Sequence, residues 1–429
     1  MSSAAATSQA RAAALTENRA RHAVVAVLMQ MIITVVYSWS VFRVPLGALY
    51  GWSKAQTIMP NRYSLLFVAF GAVAGGLWQD RKGPRLVATV GGCLLALGAL
   101  LSALWGSSLA ILVLGYGIIG GFGGGFAYVT PIANLVKWFP DKRGLMVGLA
   151  VMGSGISTLF WSPIIETLVG HNAAAYHDTI PRTFLIMSTI FLVAIVGLAQ
   201  LYKDPPPGWK PDGWDPPTEI HRAPKASAAQ MFSTWQFWVL WTVFLLGTSV
   251  GTTAIAQAAP LIQEVAGTNT PITIGLAIGI MGIANGVGRL SWGAVSDRVG
   301  RRMTLVAMAA VSVIACLAFL RSATNFWQVV AGLCLAAFSY GGYLALMPAF
   351  SADYFGQAHI GGNYGLLFSA WGICGFLFPL YSETMLDRAR EAGHLMLGYQ
   401  DLYLQLAIFA AGVAVLGFTL RPPQIFKRA

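Results

Sequence analysis

Gly293-Ala-Val-Ser-Asp297-Arg298-Val-Gly300-Arg301-Arg302 closes an apolar, Gly-rich run that begins at Pro271. Upstream by 217 residues, Gly76-Leu-Trp-Gln-Asp80-Arg81-Lys-Gly83-Pro84-Arg85 closes another. Both read Gly-x-x-x-Asp-Arg-x-Gly. The same offset of 217 separates Pro131 from Pro348, and 216 separates Phe139 from Phe355 and Pro163 from Pro379. One spacing shared by several features implies two related halves, the parallel kind of internal repeat that places a pseudo-twofold along a membrane normal.

Composition supports a membrane setting. Of 429 residues, 56% are hydrophobic and 10% charged, whereas soluble domains carry about 25% charged residues. A span needs roughly 20 apolar residues. Such segments lie at 23–44, 57–79, 86–105, 109–135, 144–169, 183–202, 235–258, 271–293, 303–321, 325–350, 364–384 and 401–420. The expected fold is therefore an all-α membrane protein of twelve transmembrane helices in two six-helix bundles, 22–202 and 235–420. The stretch 203–234, opening Lys203-Asp-Pro-Pro-Pro-Gly-Trp-Lys, is too rich in proline for a packed helix and reads as a semi-rigid linker.

Lys and Arg choose the side. Arg81, Lys82, Arg85, Lys137, Lys142, Arg143, Lys203, Lys210, Arg298, Arg301 and Arg302 all fall on the face that holds the termini. The positive-inside rule makes that face cytoplasmic, with cytoplasmic tails at 1–21 and 421–429, in the cell's inner (plasma) membrane. Residues 1–21 lack the apolar core of a cleaved signal, so the first span is expected to serve as its own.

The net charge of +11 is spread over these short loops, which points to topology rather than nucleic-acid binding. Cys93, Cys316, Cys334 and Cys374 sit in apolar runs at unrelated spacings and read as packing residues. Gly115 to Gly125 is Gly-rich, but no Gly-Lys-Ser/Thr follows it, so close helix packing is the expected use rather than a phosphate cradle. No cofactor or metal is implied.

Arg289 is the residue that carries chemistry. It lies eight residues before Asp297, about 12 Å up a helix, near the middle of a hydrocarbon core ~30 Å thick. A charge there costs at least ~2.5–3.5 kcal/mol and marks function by default. Guanidinium keeps its charge and matches a carboxylate with paired hydrogen bonds, so an organic anion is the expected ligand. Two structural roles compete: snorkelling to the inner interface, or neutralising a structural acid.

The repeated loop is similar to the signature loop of the major facilitator superfamily. The resemblance implies that Asp80, Arg81, Asp297, Arg298 and Arg301 latch the halves together through charges at helix ends. Pro84 stands where that family prefers a basic residue, which weakens the first copy. Tyr37-Ser-Trp-Ser, Trp138-Phe-Pro-Asp-Lys-Arg-Gly144 and Asn285-x-x-x-Arg289 narrow the likeness. Together they resemble the monocarboxylate transporter and oxalate/formate antiporter branch, from about His22 to Arg421. That branch implies a carboxylate on Arg289 and a cavity tyrosine at Tyr128.

Counting from helix ends places Tyr37, Tyr128, Tyr340 and Trp371 at similar depth, roughly 10–21 Å. They are candidate cavity residues with Asn285, although lipid-facing packing stays open for each. Oxalate/formate antiporters carry a second cation, a lysine, where this frame reaches Trp371. One fixed charge suits one carboxylate, because a dianion would keep an unpaired charge at a cost of several kcal/mol. Lactate, pyruvate or formate are thus expected over oxalate.

Animal monocarboxylate transporters have Asp where Asn285 stands, and Asn cannot titrate. Glu166, Glu264, Asp353 and Glu383 all lie near segment ends. Proton symport and anion exchange therefore both remain open, with symport the leading expectation and the monomer the expected unit. A carboxylate sensor that moves nothing is a more distant alternative. An enzyme is not expected, because the spans hold no catalytic constellation.

Overall fold

A computed structural model describes residues 19–170, 172–206, 209–211, 213–214, 225–265, 267 and 271–423. Most of the 1–21 tail, the centre of the 203–234 linker and the end of the 421–429 tail lie outside the described residues. The described chain is helical. We label the long helices α1 (Arg19–Ser38), α2 (Ser40–Tyr50), α3 (Lys54–Lys82), α4 (Pro84–Trp105), α5 (Leu109–Trp138), α6 (Arg143–Val169) and α7 (Ala173–Ala199). After the linker come α8 (Trp235–Glu264), α9 (Pro271–Val299), α10 (Arg301–Leu320), α11 (Phe326–Phe355), α12 (Ile360–Glu391) and α13 (Leu395–Thr419).

Among the described residues, eleven helices are long and apolar enough to cross a membrane. α3, at 29 residues, is long but more polar, with Lys54, Arg62, Asp80, Arg81 and Lys82. The segment expected as one span at 23–44 is instead two helices. Its first ends in a 3₁₀ turn, Val35–Ser38, and its second starts at Ser40. Thr34 Oγ1 donates to the Gln30 carbonyl at 2.5 Å, a competing bond of the kind that bends helices. Tyr37 sits in that tightened turn, a common hinge geometry.

The two parts of the chain meet along α3–α12 and α6–α9. Small residues make these contacts backbone to backbone. A Cβ on Gly76 would lie 2.0 Å from the Gly361 carbonyl oxygen, and one on Gly148 would lie 2.4 Å from that of Arg289. In a bilayer, where lipid is as apolar as leucine, such close approach is what holds helices together.

The repeated loops act at these same contacts. Asp297, at the end of α9, accepts hydrogen bonds from the Gly144 and Leu145 amides at 3.0 and 2.8 Å. Asp80, at the end of α3, accepts from the Gly361 and Gly362 amides at 3.0 and 2.7 Å. Each carboxylate therefore caps the first turn of a helix from the other half, where unpaired amides and the helix dipole favour a negative charge. Gly144 and Gly361 stand at the same 217-residue separation as the two aspartates.

The copies differ in the way Pro84 implies. Arg301 pairs with Asp297 at 2.7 Å and with Asp353 at 2.9 Å, and Arg143 reaches Asp353 at 2.5 Å. Asp80 has no ion pair among the described residues, and Arg81 and Arg298 are exposed and unpaired among them. Asp297→Asn should therefore cost more than Asp80→Asn. Both lose charge at a helix end, but only the first also takes from Arg301 one of its two carboxylates, adding about 1.5–3 kcal/mol for a charged hydrogen bond. A thermal melt in detergent checks the order.

The linker is pinned at both ends. The Lys203 carbonyl accepts from Asn134 and Trp138, and Lys137 pairs with Asp204 at 2.8 Å. At the far end Ala226 donates to the Phe355 carbonyl and accepts from Asn363.

Candidate functional site

Arg289 is fully buried where α9 presses on α6. Its Nε donates to Asn285 Oδ1 at 2.7 Å, one helical turn back on the same face. Its Nη1 crosses to the other half, donating to the Val151 carbonyl at 2.6 Å and to Ser154 Oγ. Ser154 can accept because its own hydrogen goes to the Val151 carbonyl at 2.7 Å. None of these acceptors is a carboxylate. Neither competing role fits: the side chain reaches no interface, and it neutralises no acid among its hydrogen-bond partners.

The remaining nitrogen, Nη2, is buried without a partner. A buried cation must be paired or hydrogen-bonded to offset several kcal/mol of lost hydration. Three neutral acceptors offset part of that, and two N–H groups on Nη2 remain for a ligand. A group with negative charge and lone pairs completes the set, and a carboxylate has both.

The other expected residues gather around it. Tyr128 on α5, Tyr340 on α11 and Tyr37 at the end of α1 lie near Arg289 or near one another. Trp371 Nε1 donates to the Tyr340 hydroxyl at 2.7 Å. Trp371 also stacks on Phe368 at 4.7 Å, and Phe368 stacks on Tyr128 at 4.5 Å. The result is a ladder of three rings, Tyr128–Phe368–Trp371, that joins the halves beside the guanidinium. Offset aromatic stacks of this kind add roughly 0.5–1.5 kcal/mol per pair.

Three members lie beyond the expected set: Phe368, Tyr364 and Ser154. Tyr364, Phe368 and Trp371 lie four and three residues apart, so a helical-face count from Trp371 finds the first two. Tyr364 is fully buried and lies near both Tyr128 and Arg289. Ser154 has no such signal, because α6 is full of small residues. Among the described residues, no cluster of His, Cys, Asp or Glu could hold a metal.

The sequence profile of the Major Facilitator Superfamily matches residues 23–379 and 267–426. The oxalate:formate antiporter of Oxalobacter formigenes is 29% identical over 358 residues, 82% of this chain and 81% of that protein. Apicoplast pyruvate carrier 1 of Toxoplasma gondii is 27% identical over 361 residues, 71% of this chain and 64% of that one. Among solved structures, a Major Facilitator Superfamily transporter, FucP, in the outward conformation aligns with a TM-score of 0.69 at 15% identity, covering 91% of this chain and 98% of that one.

Proposed function

The chain belongs to the Major Facilitator Superfamily, a family of transporters rather than enzymes, and from that premise we propose that it carries small monocarboxylates, of lactate or pyruvate size, across the inner (plasma) membrane by alternating access. The observation that carries the reading is Arg289: fully buried between the halves, bonded only to neutral groups, with Nη2 left over. Substrate carboxylate takes that nitrogen. Asn285 and Ser154 orient the guanidinium, and Tyr128, Phe368, Trp371 and Tyr340 wall the organic tail.

Twelve spans, with α1 and α2 forming the first and α3 the second, divide as 22–202 and 235–420 around the 203–234 linker. The signature-loop face and both termini, 1–21 and 421–429, are cytoplasmic. Asp80 and Asp297 then latch the inner side, with Arg301 strengthening the second latch and Arg81 and Arg298 serving the loop's surface charge. The working unit is the monomer.

Binding moves the halves only through differential affinity for their two arrangements. Arg289 offers such a difference, because its Nη1 holds Val151 and Ser154 of the opposite half while Nη2 takes the carboxylate, so the guanidinium is fully satisfied only where the halves and the substrate meet on it. Transport is proton symport, the substrate itself bringing the proton, since Asn285 cannot. A second reading, anion exchange, is favoured by likeness to the oxalate:formate antiporter; Trp371, where that family has a lysine, speaks for a monoanion in either case.

Proteoliposomes separate these readings. Labelled lactate should enter empty vesicles and accelerate several-fold when the bath is acidified. Entry that demands formate or lactate inside selects exchange. Binding with no entry under any gradient selects the sensor, and indifference to lactate, pyruvate and formate alike removes the substrate class.

A further inference from the structure

The end of the interface opposite the signature loops holds a second cluster of charges. Arg62 lies eighteen residues before Asp80 on α3, about 27 Å away along the helix. Glu383 on α12 lies twenty-two residues past Gly361, about 33 Å. Arg62 Nη2 pairs with Glu383 Oε2 across the two halves. Arg43 on α2 interacts electrostatically with both. Two guanidinium groups therefore stand near one carboxylate, and Arg62 alone pairs with it. Arg62 Nε is buried without a partner, and Asn61 Oδ1 beside it is likewise unpaired.

The pair is only partly sheltered, with the Arg62 side chain 13% and Glu383 37% exposed. Ion pairs so near water contribute little net stability, so a competing anion can take one partner's place. The surplus positive charge is partly sheltered from water at this end of the interface, which strengthens its pull on approaching anions. One turn inward, Leu65 packs on Gly375 of α12, and Tyr63 meets Phe376 edge-on at 5.9 Å. Breaking the pair removes the only ion pair holding α3 to α12 among the described residues and leaves small-residue packing behind it.

We propose that Arg43, Arg62 and Glu383 form an outer carboxylate site that is also the outer gate. An arriving carboxylate takes the place of Glu383 on Arg62, with Arg43 as its second cation, and α3 parts from α12 above Arg289. The assignment rests on the carrier reading for its direction, but the cluster's chemistry stands by itself.

Leu65→Cys, with the four native cysteines replaced by alanine, gives the readout: its rate of reaction with a membrane-impermeant maleimide added outside right-side-out proteoliposomes. Glu383→Gln should speed labelling several-fold, and the exchange Arg62→Glu with Glu383→Arg should slow it again. Unchanged labelling in Glu383→Gln overturns the gate. Capture is tested in an Arg289→Gln background, which lacks the central site, with Arg289→Lys as a second background whose resting labelling rate reports folding. There, millimolar acetate should still speed labelling, and Arg43→Gln should abolish that response. An acetate effect that vanishes with Arg289 overturns the outer site. Because labelling rather than uptake is read, a protein that fails to transport lactate still answers for both the gate and the outer site.

Discussion

Lactate uptake by Arg289→Gln should fall at least about 100-fold in proteoliposomes, the loss expected when two charge-assisted hydrogen bonds worth ~1.5–3 kcal/mol each disappear at ~1.4 kcal/mol per decade. The amide can keep a bond to Asn285 or to Ser154, but it brings no charge to the midplane. A carboxylate entering that site then meets only neutral groups and pays its desolvation in full. The geometry also orders the conservative change. Three of the five guanidinium hydrogens are spent on Asn285, Val151 and Ser154, and two on Nη2 remain. Lysine keeps the charge but cannot bond Asn285, Val151 and Ser154 while presenting a donor to substrate, because its three hydrogens sit on one atom. Arg289→Lys should therefore transport at roughly a tenth of the original rate, about one lost hydrogen bond. Normal uptake by either variant would sink the assignment, whereas normal binding with lost uptake would move Arg289 from the substrate to the coupling of the halves.

Much of this site is legible in the sequence because charge is scarce in such a chain. A single Arg eight residues inside a span is conspicuous, and helical spacing leads from it to Asn285. Depth counting also reaches Tyr128, Tyr340 and Trp371, since residues at one depth in facing helices can meet. It cannot say which aromatic lies against which. Phe368 is hidden among the chain's 23 phenylalanines because nothing local distinguishes a ring that stacks on Tyr128 from one that faces lipid. The break at Trp39 is hidden for a related reason: the run 23–44 is evenly apolar, and the hydroxyls of Thr34 and Ser38 disturb it only through hydrogen bonds that hydropathy ignores. α3 reads as a span from its place in the repeat, although its own residues are comparatively polar; two of those polar groups, Arg62 and Asp80, bond to α12. Asp80 and Asp297 are recognisable as special, but their partners are amides more than 150 residues away. A cap supplied by another helix is a fact of tertiary structure.

Adding one methyl at Gly76 should do nearly as much harm as removing the central charge. The Cβ of Gly76→Ala would stand 2.0 Å from the Gly361 carbonyl oxygen and 2.5 Å from its carbon. Both are backbone atoms of α12 and cannot rotate away. The helices must separate by an ångström or more, since a close-packed interior has no slack for a new group. Asp80 is one turn along from Gly76, and its bonds to Gly361 and Gly362, now 3.0 and 2.7 Å, lengthen with the gap. Two charge-assisted bonds at ~1.5–3 kcal/mol each then cease to hold the inner side shut, enough to shift a two-state equilibrium by a factor of ~100 or more. The carrier should rest open toward the signature-loop face, label faster at cysteines placed there, and lose lactate uptake more than tenfold. Gly412→Ala is the control, because a Cβ there meets nothing within 4 Å, and alanine is worth up to ~1 kcal/mol over glycine in a helix. If Gly76→Ala transports as the control does, α3 and α12 do not close the inner side through this contact, and the latch must be sought at Asp297, Arg301 and Asp353 alone.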